Sequence, residues 1–359
     1  MIEHETSARP RPRSLTMPAL LGLAACLAFG TSAVAQSPHD PAPSNTPAAA
    51  QNVPPTITLK AHAGAVRALA YSIDGRTLAS AGADGTVKLW SLPAGTPAGS
   101  FPAVASSANR PAITPDSRWL IYLSEPRRIA LHALAPSTSP APDRSLDWKV
   151  DADIALMDVP PDGRTVAAAG AGTLTVWDAA TGAVVSTRSP HGNSKILALA
   201  CSPDGGRIAT AGEDGRLVIA DARTGKVTHE STPQARATRI TWSPLGDSLL
   251  LGSENRQVHT LDPKTGLGYV LVELPDAASP LDYWPLGTRL SVGWNDGSVH
   301  TWARVRGAWG ISPLGGGDGL ITSLRYSWNG RDLAAGDVNG IVRVWPIAIE
   351  EPDWSSVAR

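Results

Sequence analysis

The chain has 359 residues, 42% of them hydrophobic but only 5% aromatic, and a formal charge of −1 from 31 basic and 32 acidic side chains. A surface that neutralises many phosphates needs a basic excess, and no Lys/Arg-rich run supplies one, so nucleic acid is excluded as a partner. With 34 Gly and 31 Pro the chain is densely punctuated by turn residues, and a fixed period among them would decide the architecture.

Arg9, Arg11 and Arg13 precede an apolar run at residues 20–29, and Ala33-Val34-Ala35 follows before Gln36. A basic region, a short apolar region and an A-x-A site predict a cleaved secretory signal peptide over residues 1–35. The run is too short for a comfortable bilayer span. Leu23-Ala24-Ala25-Cys26 also resembles a lipobox, with a lipid anchor at Cys26 as the alternative, but Leu27, Ala28 and Phe29 keep the run apolar where a lipoprotein turns polar. Cleavage after Ala35 leaves Cys201 as the sole cysteine. The mature protein must then stand without an intramolecular disulfide, and Cys201, inside an apolar run, reads as a small buried hydrophobe. Residues 36–55, rich in Pro, Ala and small polar residues, predict a disordered linker.

From residue 56 onward one unit recurs. The turn after its first long strand reads Ile73-Asp74-Gly75, Pro115-Asp116-Ser117, Pro161-Asp162-Gly163, Pro203-Asp204-Gly205, Pro244-Leu245-Gly246, Pro285-Leu286-Gly287 and Trp328-Asn329-Gly330, with spacings of 42, 46, 42, 41, 41 and 43. The end of the last strand gives a second ruler, Trp90, His132, Trp177, Ala220, Leu261, Trp302 and Trp345, with spacings of 42, 45, 43, 41, 41 and 43. Two rulers thus agree on seven units with the period of four-stranded propeller blades. Within unit one, residues 66–71 form a mostly apolar run, and residues 77–81 carry the small side chains that close packing requires. Asp84-Gly85 marks a hairpin, and residues 86–90 alternate and end in an indole.

Unit one resembles a blade of the WD-repeat (WD40-type) family, with His62 at the place of the family's Gly-His pair and with Ser80, Asp84 and Trp90. In that family these residue types form a hydrogen-bonded chain from indole through hydroxyl and imidazole to carboxylate. The resemblance implies the same staple here, since a buried indole N–H and imidazole each need a partner. Unit three keeps Trp177-Asp178; unit four keeps His191, Thr210 and Asp214 but has Ala220 for the tryptophan. Unit six keeps Asp296 and Trp302, and unit seven has Asn339 and Trp345. The departures are Pro126 and His132 in unit two, a lost aspartate in unit three, and Asn255 and Leu261 in unit five. The resemblance covers residues 56–347 and implies an all-β, seven-bladed propeller of four-stranded antiparallel blades. Its orphan first strand, residues 56–60, would close the last blade, leaving residues 348–359 as a surface tail.

The eight histidines are scattered, none at H-E-x-x-H spacing, and no G-x-S-x-G, C-x-x-C-H or phosphate loop occurs. The glycine-rich stretch at residues 315–319 lies between units and does not open a helix. The sequence therefore predicts no catalytic, cofactor or metal residues and no cofactor. In WD-repeat propellers one circular face commonly holds partners. Carried over from unit one, its candidates are Arg67, Asn109, Asp153, Lys195, Arg236 and Thr322 from the loop before the innermost strand. Glu125, Glu213, Glu254, Trp294 and Asn295 come from the loop before the last strand. The resemblance implies a monomeric, non-catalytic protein-binding scaffold, exported to the periplasm or beyond, with no membrane span after cleavage. The alternative is an exported enzyme or small-ligand binder that uses the central channel and gathers three or more carboxylates or histidines at its mouth.

Overall fold

The computed structural model describes residues 55–106, 110–134, 143–147, 149, 152–233, 235–273, 280–285, 289–305 and 308–347, with backbone alone for residues 303–312. The leader with Cys26, the linker up to residue 54, Asn109 and the tail lie outside the described residues. The strands form seven four-stranded antiparallel sheets, each a blade of an all-β propeller. Blade one pairs Val66–Tyr71, Thr77–Gly82, Thr86–Ser91 and Thr96–Pro102 in sequence order. Blades two to six repeat that meander. The innermost strands that follow are Ala112–Ile113, Leu156–Asp158, Ile196–Cys201, Ala237–Trp242, Leu281–Tyr283 and Ile321–Tyr326.

Three innermost strands are short, with two or three residues against six elsewhere. Prolines border them: Pro111 and Pro115 on either side in blade two, Pro280 and Pro285 on either side in blade six, and Pro160-Pro161 after the strand in blade three. A proline has no N–H to give to a ladder and limits the strand it borders. The four full-length innermost strands each carry a register shift at their start, at Val66/Ala68, Ile196/Ala198, Ala237/Arg239 and Ile321/Ser323. The extra residues are Arg67, Leu197, Thr238 and Thr322. A bulge of this kind re-aims the side chain it inserts, and it does so here at two of the rim positions.

Blade faces meet through apolar layers. The second strands are narrow: TLASAG, TVAAAG and RIATAG each bury five of six residues. Larger side chains on the first and third strands fill the widening wedge. Trp90 packs with Leu69, Tyr71 and Val344 against blade seven, and Trp177 with Met157 and Leu131 against blade two. Where blade five has Leu261 in place of the tryptophan, an indole arrives from its innermost strand: Trp242 packs beside Leu261 on Ala209, Leu217 and Ile219, its Nε1–H donating to Ala200 O at 3.1 Å. Its place is the strand end that Tyr71 holds in blade one and Tyr326 in blade seven.

The turn ruler acquires a mechanism. In blades one, two and four the residue before the turn is a serine or threonine whose hydroxyl donates to the turn acid, Ser72 to Asp74 and Thr114 to Asp116, both at 2.6 Å, and Ser202 to Asp204. Ser243 and Ser327 donate instead to Asp247 and Asn329, and Pro160 and Trp284 hold the place in blades three and six. Ser72 Oγ in return accepts the Thr77 N–H at 2.9 Å. The hydroxyl holds the Asp74 and Asp204 carboxyls below their ordinary range.

Strand Ile57–Lys60 leaves its sequence neighbours and pairs antiparallel with Ile341–Pro346, Ile57 opposite Val344 and Lys60 opposite Ile341. Thr56 N–H and Oγ1–H both donate to Val344 O, and Ala61 and His62 N–H donate to Gly340 O. On the channel side Thr322 Oγ1–H donates to Val66 O at 2.6 Å, joining blades seven and one a second time. The N-terminal strand thus closes the ring.

Removing residues 56–60 should therefore leave blade seven with an open edge and lower the melting midpoint by ten degrees or more, while removing residues 36–54 should leave it unchanged. Circular dichroism melts of the two truncations decide; equal tolerance would mean that the ring does not depend on this strand.

Candidate functional site

Blade one assembles its four polar residues into one chain. Trp90 Nε1–H donates to Ser80 Oγ at 3.0 Å, Ser80 lies 2.8 Å from His62 Nε2, and His62 Nδ1 lies 3.0 Å from Asp84 Oδ1. The partners fix the roles: with its oxygen accepting from the indole, Ser80 gives its proton to Nε2, so Nδ1 carries the imidazole proton and donates it to Asp84. Burial lowers the His62 pKa below its ordinary 6.5, and Asp84 opposes without reversing it, so this is a neutral imidazole, not an ion pair. Asp84 also accepts from Ala63 N–H and Thr86 Oγ1–H, and its pKa is lowered: burial raises it, but these bonds and His62 outweigh the burial. Gly82 is required by this chain, because a Cβ there would collide with the His62 ring. Gly212 is constrained the same way by His191 and Asp214 in blade four. The shared A-G-x-D-G pattern at residues 81–85 and 211–215 is the signal for both.

Blade four builds two of the three links: His191 Nδ1 lies 3.0 Å from Asp214 and Nε2 2.9 Å from Thr210 Oγ1. Asp178 and Asp296 bond within turns. Asp178 closes the next turn, accepting Thr181 N–H at 2.7 Å and its hydroxyl at 2.8 Å. Asp296 accepts from the Ser298 N–H and hydroxyl. Trp302 and Trp345 are buried, and their Nε1–H groups have no partner among the described residues. The register gives the reason. Ser80 stands opposite Lys88, two residues before Trp90. The matching places in blades six and seven hold Val292 opposite His300 and Ala335 opposite Arg343, so neither supplies a hydroxyl there to accept the indole proton. Blade seven instead buries Asp337 against Arg343 at 2.7 Å, and the carboxylate also accepts Asn339 and Ile341 N–H. The sequence reading missed Asp337; its signal is a carboxylate ending the second strand, DLAAGD, where blades one, three and four end in glycine.

The rim candidates divide. Arg67, Asp153, Lys195, Glu213 and Asn295 are exposed. Glu125 pairs with Arg128 at 3.0 Å and Glu254 with Arg236 at 2.8 Å, both in solvent where such pairs add little. Thr322 is a structural bridge between blades. Trp294 is half-buried, stacks on His300 at 4.3 Å and packs onto the core between blades five and six, so the indole neither projects as an anchor nor plugs the channel.

The channel is lined by the innermost strands and is charged. Arg67, Arg110, Arg239 and Arg325 face it with Asp158 and Asp282. The two carboxylates occupy equivalent places three blades apart, and each crosses to the next blade: Asp158 accepts Cys201 N–H at 2.7 Å and Asp282 accepts Tyr326 N–H at 2.8 Å. Burial raises both pKa values, and Arg110 and Arg325 oppose it at both. The signal the sequence reading passed over is a charge inside each apolar run, LMD, LDY and SLRY. Cys201 is buried, and loss of water pushes its thiol well above the usual range, which leaves it unreactive. Among the described residues no three of His, Cys, Asp and Glu gather as metal ligands, and no helix is long and apolar enough to cross a membrane.

Residues 54–91 and 312–346 match the family model described as WD domain, G-beta repeat. Two stretches of a seven-bladed β-propeller thus match WD repeats. The two matched stretches flank the ring closure, taking in the clasp, blade one and blade seven. Residues 131–268 match the model described as Outer membrane protein assembly factor BamB, on the side of the ring that holds blades three to five. No curated protein matches the chain.

Replacing Trp90 by alanine should cost about 3–5 kcal/mol, the usual range for a core aromatic; an unchanged denaturant midpoint would contradict its place in the wedge. Conversely, Ala335→Ser supplies the acceptor that the Trp345 indole lacks, and should stabilise the protein by roughly 1 kcal/mol. Chemical denaturation of the two variants beside wild type measures both.

Proposed function

We propose that this chain is a non-catalytic protein-binding scaffold of a bacterial cell envelope, which takes its partners on the rim face. The pairing of WD-domain matches with a match to an outer membrane protein assembly factor carries this reading. The leader at residues 1–35 and the spacer at residues 36–55 agree with export, and residues 348–359 follow the propeller as a tail. Exposed Arg67, Asp153, Lys195, Glu213 and Asn295 offer partners a mixed-charge surface. Charges of this kind set encounter rate and register more than affinity. The protein works as a monomer without a cofactor.

The test is affinity capture from a detergent-solubilised envelope fraction, with wild type beside a Lys195→Glu/Glu213→Lys double variant. Wild type should retain a defined set of envelope proteins, and the variant should lose them at least tenfold. Capture of none, together with turnover of a small molecule, would overturn the scaffold reading in favour of an enzyme.

A further inference from the structure

The channel interior is the part of the molecule that neither the blade packing nor the rim accounts for. Its larger cavity holds about 140 Å³, close to the volume that admits a six-atom ring in an engineered protein cavity. A second chamber of about 90 Å³ continues it towards the proline turns at Pro161, Pro203, Pro244 and Pro285.

Inside, the charges are unequal. Four guanidinium groups line the larger cavity against two carboxylates, and each carboxylate already spends one oxygen on a backbone N–H of the next blade. Arg325 remains 3.6 Å from Asp282, outside direct hydrogen-bonding distance, while its guanidinium lies 5.5 Å from the Trp328 ring centre. Arg110 and Arg325, from blades two and seven, both act on Asp158 and on Asp282, from blades three and six, so these charges converge across the ring instead of pairing off within blades. Arginines from four different blades thus line one volume, and a guanidinium offers a planar fork of donors. That arrangement matches the oxygens of a phosphate or carboxylate.

We propose that the central channel binds a small multivalent oxyanion, a phosphate or polycarboxylate compound, through Arg67, Arg110, Arg239 and Arg325. Asp158 and Asp282 set the size and charge of what enters: a bulky or singly charged anion meets their repulsion without enough arginine contacts to offset it. Arg67 is shared with the rim, whereas Arg110, Arg239 and Arg325 are not among the rim positions, so the site does not require the rim to be a partner surface.

The full chain is titrated calorimetrically with pyrophosphate, citrate, acetate and an aspartate-rich hexapeptide at low ionic strength, with sodium chloride matched for ionic strength. Pyrophosphate or citrate should bind one to one and raise the melting midpoint by several degrees, with acetate and the peptide at least tenfold weaker. Which of the two binds more tightly separates a phosphate site from a carboxylate site. Arg110→Gln and Arg239→Gln should each weaken binding at least tenfold, while Arg223→Gln on an outer turn should not. Arginine labelling by phenylglyoxal on the wild-type protein gives a readout free of folding effects, since pyrophosphate or citrate should slow modification of Arg110 and Arg239. The site is ruled out if chloride reproduces the thermal shift, if no anion binds at millimolar concentration, if the peptide binds as tightly as the small anions, or if labelling is unchanged.

Discussion

A propeller blade is stable only when both of its faces are covered, and in a ring that demands a last neighbour for the first blade. The ladder between strands Ile57–Lys60 and Ile341–Pro346 meets that demand. Other contacts converge on the same seam: Gly340 O receives two N–H groups, Thr322 bridges to Val66, and Asp337 with Arg343 holds the hairpin that receives the clasp. A Cβ on Gly340 would meet the His62 carbonyl, and its φ of +80° suits glycine. The complete polar chain of blade one lies next to this seam. With Cys201 free and buried, the described ring is held by burial and hydrogen bonding.

The repeat count and ring closure were legible because turn residues and strand-end aromatics obey local rules of geometry, and seven copies average out the damage to any one. The staples were legible only where every member is present. A tryptophan reads the same in sequence whether or not a hydroxyl stands opposite it, and Val292 and Ala335 reveal their effect only once the register is known. Packing between strands was hidden for the same reason: Trp242 lies beside Leu261 from a different strand. The channel charges were hidden because convergence across a ring has no sequence spacing. Asp158 and Asp282 are 124 positions apart yet share Arg110 and Arg325.

Rim and channel place different demands on the same scaffold. The rim carries exposed side chains at strand starts, where the surrounding backbone tolerates change. The channel carries charges between rigid strands, where carboxylates with raised pKa values are stabilised by amides of the next blade. A buried charge that leaned only on its own blade would weaken the ring; these two instead lace blade three to four and six to seven.

The clasp also orders events in time. Its strand is among the first parts of the domain to be synthesised, yet its partner begins at residue 341, so a nascent chain carries an unpaired, half-apolar segment until nearly all of the domain exists. Contacts so distant in sequence are late and slow to form. Until they form, blade seven is a three-stranded sheet with a free edge, open to pairing with the clasp segment of another copy. Two chains that exchanged these segments would form a domain-swapped dimer with the same seven blades per ring. Slow release of single chains, at low concentration, is the condition under which each ring closes on itself.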